Sequence, residues 1–160
     1  MGTRGSLRVA LVGLGFGAEF APIYLHHPDV WSLTICDADE RALTRVGDRY
    51  QIPRRCPDLR AILDSPQYDA VHLVTPIPLH AKQTLEVLES GKHCACTVPM
   101  ATSLADLQAI VAAQRRTGKT YMMMETAVYT REFLYVKEML ARGELGRIQF
   151  LRGAHYQDME

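Results

Sequence analysis

Residues 7–18 read LRVALVGLGFGA, a short apolar run followed at once by a glycine-rich turn. The run Leu7–Val12 is typical of a strand buried on both faces. The turn is a GxGxxG-like loop of Gly13, Leu14, Gly15, Phe16, Gly17 and Ala18. A helix is predicted next, to His26, before Pro28. A strand, a glycine turn and a helix in this order predict a dinucleotide-binding α/β unit.

Each small residue of the loop has its own predicted task. Gly13 permits the tight turn, and Gly15 lets the backbone approach a pyrophosphate. Ala18 takes the position where the helix packs closely on the strand. The helix N-terminus supplies unpaired N–H groups and a partial positive charge for phosphates.

The rest of the chain alternates between strands and helices. Further strands are predicted at 32–36, 52–56, 69–74, 93–96, 120–124 and 148–155. Helices are predicted at 39–50, 58–63, 79–90, 104–117 and 131–142. This alternation predicts a doubly wound parallel sheet of order 3-2-1-4-5-6, with ligands at the carboxyl ends of the strands. We expect a Rossmann domain over 1–126, and over 127–160 a connecting helix and the first strand of a second α/β domain.

Asp37 ends the second predicted strand, 22 residues after Gly15. An acidic side chain at that place accepts hydrogen bonds from the adenosine ribose hydroxyls. Because a carboxylate repels a 2′-phosphate, NAD is expected rather than NADP, although nearby Arg41 is able to receive such a phosphate. The alternative is a helix cap, for which Asp37 and Asp39 are both suited.

Two later loops follow the fourth and fifth strands. Thr75, Pro76 and His80 belong to a proline-stiffened loop that we expect over the cofactor, although a lone histidine is as often a cap or a surface residue. Thr97 and Pro99 are further cofactor-site candidates. Val98, between them, has no group that donates, accepts or titrates, which argues against ordinary acid–base chemistry at that position.

Three residues are candidates for proton transfer. They are His80, Glu125 and Tyr129, the last two following the strand that ends at Met124. Glu125 is equally suited to capping the next helix.

Composition argues against nucleic-acid-binding, membrane-spanning and secreted proteins. The 160 residues carry 18 basic and 18 acidic side chains, so nothing favours a nucleic-acid partner. No window is long and apolar enough to span a bilayer, and the first residues lack a signal-peptide core. A cytoplasmic protein with a small-molecule substrate is therefore expected. Met1–Ser6 is too loose a match to predict N-myristoylation.

Four cysteines sit at 36, 56, 94 and 96. No second ligand pair has zinc-finger spacing, so we expect buried core thiols and no metal site.

The sequence resembles the Gfo/Idh/MocA oxidoreductases. The resemblance covers nearly the whole chain and is carried by LVGLGFGA, ICDAD, VTPIPLH, GKHCACTVPMA and GELGRIQFLRG, in order. It implies an N-terminal NAD(P)-binding Rossmann domain and a C-terminal domain with an open sheet, which supplies the substrate pocket and the oligomer interface. By this resemblance the chain stops just inside the second domain.

The resemblance also assigns individual residues. Gly13, Gly15 and Ala18 match the pyrophosphate loop, and Asp37 matches the ribose acid. The TPxxxH loop is matched by Thr75, Pro76 and His80, with Ile77 in place of a frequent asparagine. Pro99 matches the proline of the Glu-Lys-Pro motif, whose glutamate and lysine are replaced here by Thr97 and Val98.

The implied activity is hydride transfer on a sugar, polyol or related carbinol or carbonyl substrate. Because the usual lysine is absent, one alternative is a non-catalytic cofactor-binding regulator or sensor of the same fold. Another is an enzyme that uses a nucleotide methyl donor, since such folds also have a glycine loop and a strand-two acid. A third is an inactive truncated product.

Overall fold

The computed structural model describes residues 6–154, in which strands and helices alternate. The strands are β1 (Leu7–Val12), β2 (Val30–Cys36), β3 (Arg55–Cys56), β4 (Ala70–Leu73), β5 (His93–Thr97) and β6 (Tyr121–Met124). The α-helices are α1 (Ala21–His26), α2 (Glu40–Arg49), α3 (Leu59–Asp64), α4 (His80–Glu89), α5 (Leu104–Thr117) and α6 (Arg131–Ala141). Short 3₁₀ segments at Phe16–Phe20, Ile77–Leu79 and Ala127–Tyr129 precede α1, α4 and α6.

The six strands form one parallel sheet of order β3-β2-β1-β4-β5-β6. This order confirms the sequence prediction. The two central strands, β1 and β4, are paired in register up to Val12 and Leu73. The chain leaves β1 toward one edge of the sheet and β4 toward the other, so their carboxyl ends form the crevice where such folds bind ligands.

The core lies on both faces of the sheet, as the apolar run of β1 predicts. Val9 and Leu11 belong to the cluster under the first two helices, whereas Ala10 and Val12 belong to the cluster on the opposite face. Leu11 is completely buried. Burying one such side chain stabilises the fold by roughly 1.5–3 kcal/mol. Strand β1 contributes side chains to the core on both faces of the sheet.

Side-chain caps fix where several helices begin, among them α2 and α5. The Asp39 carboxylate accepts a 2.9 Å hydrogen bond from the Arg41 amide at the start of α2. The Ser103 hydroxyl accepts one of 3.1 Å from the Asp106 amide at the start of α5, which Gly118 closes in a left-handed conformation. The cap of α2 is therefore Asp39, which leaves the Asp37 side chain available for another role.

Three sequence predictions need correction. The helix predicted from Phe16 starts as a 3₁₀ segment and becomes α-helical at Ala21. The third strand is only Arg55–Cys56, because the Ile52 amide instead donates to the Gly47 carbonyl in the turn that closes α2. The strand predicted at 148–155 does not form over 148–154. No partner strand pairs with this described stretch, and an isolated strand is not stable.

The chain divides into two compact units, Met1–Met124 and Glu125–Glu160. The sequence prediction set the boundary close by, after residue 126, and its interpretation of the second unit as the start of another α/β domain stays a prediction. No helix within residues 6–154 is long and apolar enough to cross a membrane. Residues 1–5, with most of the acylation-like stretch, and 155–160 lie outside the described residues.

Candidate functional site

The turn after β1 requires glycine at its first position. Gly13 has a φ of +89°, and a Cβ built there would lie 2.4 Å from the Val74 carbonyl oxygen. The Gly13 amide donates a 2.9 Å hydrogen bond to the Cys36 carbonyl at the end of β2. Gly13 therefore packs between the ends of β2 and β4, where there is no room for a side chain.

The next two glycines serve different purposes. A Cβ built on Gly15 meets no atom within 4 Å, so the space above this backbone is open. A Cβ on Gly17 would lie 3.2 Å from the Val74 Cβ, so Gly17 lets the helical segment pack against the end of β4. Sequence reasoning gave this packing role to Ala18, which is buried in the same core cluster as Phe20.

Asp37 holds the glycine turn directly. Its Oδ2 accepts a 2.7 Å hydrogen bond from the Leu14 amide, and its Oδ1 accepts one of 2.9 Å from the Asp39 amide. The side chain is half-buried at the carboxyl end of β2. Asp37 therefore presents a negative charge beside the turn and at the same time fixes the turn's conformation.

A cavity of about 340 Å³ opens next to this pair. Its lining includes Val12, Gly13, Cys36, Asp37, Ala38, Pro57, Asp58, Leu59, Thr75, Pro76, Leu79 and Gln83. The volume lies in the range of small-molecule pockets. The cavity brings together the glycine turn, the strand-two acid and the loop after β4, as the sequence predicted.

The loop after β4 is fixed by helix α4. The Thr75 hydroxyl donates a 2.5 Å hydrogen bond to the Gln83 side-chain oxygen. His80 is almost completely buried, with 1% of its surface exposed. Its Nδ1 lies 2.8 Å from the Pro99 carbonyl oxygen and its Nε2 lies 2.8 Å from the Thr75 carbonyl oxygen. His80 is therefore neither a surface histidine nor a cap.

The loop after β5 is more exposed. The Thr97 hydroxyl donates to the Leu73 carbonyl over 3.4 Å, and the following Val98–Pro99 peptide bond is cis. Val98 is 39% exposed, so it is not packed core. A larger side chain at this position has room to extend into solvent.

The two other proton-transfer candidates lie in the second unit. Glu125 is half-buried, and its Oε1 accepts a 2.9 Å hydrogen bond from the Ala127 amide at the start of a 3₁₀ turn. Tyr129 is 65% exposed. Glu125 thus has the capping contact that the sequence offered as its alternative role.

The cysteine thiols are mostly core groups. Cys36, Cys94 and Cys96 are buried, and Cys56 is partly buried. Burial raises the pKa of the Cys36 and Cys94 thiols to about 12 and that of Cys96 to about 11. Within residues 6–154 no three potential ligands are grouped to hold a metal ion.

A second buried histidine lies away from the cavity described above. His72, on β4, has its Nδ1 3.0 Å from the Tyr24 hydroxyl, and burial lowers the pKa of its ring to about 4. Both residues line an apolar cavity of about 220 Å³ near the amino ends of the strands. His72 is therefore neutral at pH 7 and belongs to the core rather than to the crevice.

A family model described as an oxidoreductase family with an NAD-binding Rossmann fold, GFO_IDH_MocA, matches residues 7–125. The chain belongs to the Gfo/Idh/MocA oxidoreductase family. The match extends from the start of β1 through the end of β6, so it includes every loop that surrounds the 340 Å³ cavity. Membership in an NAD-binding family contradicts the methyl-donor alternative.

Curated relatives include a glycosyl hydrolase family 109 protein of Shewanella baltica, 31% identical over 96% of this chain and 36% of the relative. An α-N-acetylgalactosaminidase of Shewanella oneidensis is 29% identical over the same shares. The WlbA dehydrogenase of Bordetella pertussis, solved with NADH and UDP-GlcNAcA, matches with a TM-score of 0.79 and 28% identity. That match covers 91% of this chain and 42% of WlbA. The chain thus spans about two fifths of these proteins' lengths.

The family's cofactor fits the residues present. NAD requires a glycine backbone open to its pyrophosphate, and the open space at Gly15 meets that need. It also requires a hydrogen-bond acceptor for the ribose, and the Asp37 carboxylate stands at the cavity wall. The open backbone at Gly15 and the Asp37 carboxylate are therefore compatible with a bound dinucleotide.

Sequence reasoning missed part of the cavity wall. Asp58, Leu59 and Gln83 were not singled out, because they lie on elements that approach the glycine turn only in the folded sheet. One signal was present for Gln83. It follows His80 by three residues, so both side chains lie on one side of a helix that begins at this loop.

Proposed function

We propose that this chain is the cofactor domain of an NAD-dependent oxidoreductase that moves a hydride to or from a sugar or polyol carbon. The observation that carries the proposal is the anchored turn, in which Asp37 binds the Leu14 amide beside the open backbone of Gly15. WlbA supports the sugar class, because that relative was solved with NADH and a sugar nucleotide.

The preference for NAD over NADP is part of the proposal. Asp37 places a carboxylate at the cavity wall where the adenosine ribose would lie. A 2′-phosphate there meets a like charge at close range, which is unfavourable. Arg41, the residue that argues for NADP in the sequence analysis, is exposed on the first turn of α2. Its positive charge would favour a 2′-phosphate.

The chain's own residues bind and orient in this proposal. The glycine turn receives the pyrophosphate, Asp37 receives the ribose, and the loop after β4 lines the crevice. NAD, when bound, supplies the hydride acceptor. Val98 does not move a proton, so that task falls to Glu125, to Tyr129 or to a residue outside this chain.

The direct test uses a protein of the relatives' full length with a panel of sugars, inositols and amino-sugars. We expect NADH formation with one member of the panel, and its loss when Gly15 is changed to Ala. Measurable NAD binding without turnover on any member would contradict hydride transfer and would favour the non-catalytic sensor. The family's oligomeric assembly through a C-terminal sheet is also an expectation for the full-length protein, which sedimentation tests.

Glycoside cleavage is the second candidate, favoured by the names of the curated relatives. A glycosyl hydrolase family 109 protein and an α-N-acetylgalactosaminidase align with 96% of this chain. A chromogenic N-acetylgalactosaminide, tested with the full-length protein and NAD, separates the two candidates. Release of the chromophore without net NADH formation favours cleavage, and NADH formation without release favours dehydrogenation.

A further inference from the structure

The loop after β4 lines the cavity, and the loop after β5 follows the adjacent strand. No backbone hydrogen bond joins these two loops within the described residues. The β4–β5 ladder ends at the pair Leu73 and Cys96, and both loops begin beyond it. Three prolines fall in these loops, at 76, 78 and 99, and proline has no amide hydrogen to donate. A connection between the loops must therefore come from a side chain.

His80 supplies that connection. Its ring lies between the Pro99 carbonyl on one loop and the Thr75 carbonyl on the other, at 2.8 Å from each. A carbonyl oxygen only accepts, so each contact needs a ring N–H; a neutral imidazole provides one and a protonated ring provides two. The neutral ring therefore bonds one of the two carbonyls, and the protonated ring bonds both at once.

Helix α4 reinforces one end of this connection. Gln83, one turn after His80, accepts a 2.5 Å hydrogen bond from the Thr75 hydroxyl. Thr75 is therefore held through its carbonyl by His80 and through its side chain by Gln83. The start of α4 thus restrains the first loop, and among residues 6–154 His80 makes the side-chain hydrogen bond from there to the loop of Val98.

We propose that His80 is a positioning residue that couples the loop after β4 to the loop after β5, so that NAD binds to both as one preformed surface. This inference rests on the proposed function, because it assigns the coupling to the same cofactor site. It replaces the proton-transfer role for His80, since both ring nitrogens face backbone carbonyls inside the protein.

The test compares His80→Phe and His80→Gln with His72→Phe in the full chain. His72 is the matched control, because it is equally buried and lies on β4 but contacts neither loop. NADH affinity is measured by titration of its fluorescence, and stability by thermal unfolding. We expect His80→Phe to weaken NADH binding about tenfold or more, His80→Gln to recover part of it, and His72→Phe to lower the melting temperature without changing affinity beyond about twofold.

Hydrogen exchange without cofactor separates this inference from the proposed function. In His80→Gln we expect faster amide exchange in both 75–80 and 97–103, and no change there in His72→Phe. Faster exchange in one loop only, or NADH affinity that tracks melting temperature equally in all three variants, would overturn the coupling. If the unaltered chain fails to bind NADH, the proposed function fails, and the exchange experiment still decides whether His80 joins the loops.

Discussion

The Leu14 amide donates a 2.7 Å hydrogen bond to the Asp37 carboxylate, joining the glycine turn to the end of β2. One side chain therefore holds the turn and, in the proposed function, also presents a charge to the ribose. A single substitution that removes the side chain alters both. Separating the tasks requires a variant that keeps the oxygen and removes the charge.

Asp37→Asn is that variant. An amide oxygen still accepts from Leu14, but the NH₂ group then faces the Asp39 amide, which loses its acceptor, so we expect a melting temperature a few degrees lower. Hydrogen bonds to charged groups contribute about 1.5–3 kcal/mol, so we expect NADH affinity to fall about tenfold or more and NADPH affinity to fall less. Asp37→Ala should add a loss of stability. Equal losses for both cofactors, measured by fluorescence titration, would show that Asp37 is structural and does not select NAD.

Gly13→Ala tests the close packing of the glycine turn against Val74. The new Cβ would lie 2.4 Å from the Val74 carbonyl oxygen on a backbone with φ of +89°. Left-handed strain alone costs about 1–3 kcal/mol, and the clash adds to it, so we expect thermal unfolding about 10 °C lower or more. Gly91→Ala is the control, because its φ is +77° but a Cβ there meets nothing within 4 Å. A similar loss in both variants would mean that the contact with Val74 is unimportant.

Val98→Lys restores the residue that the family motif usually carries. Since Val98 is 39% exposed, the lysine ammonium is able to reach water, and we expect a melting temperature within about 2 °C of the original. Val71→Lys, at a position that is 1% exposed, should unfold the domain. A large loss of melting temperature in Val98→Lys would show that the position is packed and unable to hold the family's lysine.

The ionisation of Asp69 makes the free energy of unfolding depend on pH at low pH. The Arg8 guanidinium, which donates to both carboxylate oxygens over 2.7 and 2.8 Å, lowers the pKa of Asp69 from 3.8 to about 2. A carboxyl whose pKa is lower in the folded state stabilises the fold above its unfolded pKa. That contribution is lost as the pH falls from about 4 to about 2.

Asp69→Asn should therefore lower the melting temperature at pH 7. Because both side chains of the ion pair are about one third exposed, at 34% and 31%, we expect a shift of only about 3 °C. The difference should shrink toward pH 2. Asp29→Asn is the control, since the carboxylate of exposed Asp29 has no partner within residues 6–154. If Asp69→Asn lowers the melting temperature as much at pH 2 as at pH 7, the ion pair is not the cause of the loss.

The sheet order was predictable because local signals repeat along the chain. The glycine turn identified the first strand, and the alternation of strands with helices then predicted the strand order of a doubly wound sheet. The cap of α2 was predictable to within two residues, because Asp37 and Asp39 are chemically alike. Only the folded structure shows that Asp37 accepts from Leu14 and Asp39 from Arg41. The described part of 148–155 was predicted wrongly, because apolar alternation reports a tendency toward strand and not the presence of a pairing partner.

The role of His80 was not predictable from its neighbours in sequence. Its partner Pro99 is 19 residues away and reaches it only because β4 and β5 are adjacent. The open space at Gly15 and the closed space at Gly13 also depend on where Val74 lies. A GxGxxG-like pattern identifies these glycines together, whereas the fold distinguishes Gly13, which shapes the turn, from Gly15, whose backbone is open.

The most direct measurement is NADH titration of the unaltered chain and of Gly15→Ala, with circular dichroism and thermal unfolding on the same samples. Gly15 has a φ of −61° and nothing within 4 Å of a Cβ, so the variant should fold with a nearly unchanged melting temperature. If the turn receives the pyrophosphate of NAD, the unaltered chain binds NADH and Gly15→Ala loses at least about tenfold in affinity. Equal affinity in a folded Gly15→Ala would contradict the assignment of this turn as the cofactor site.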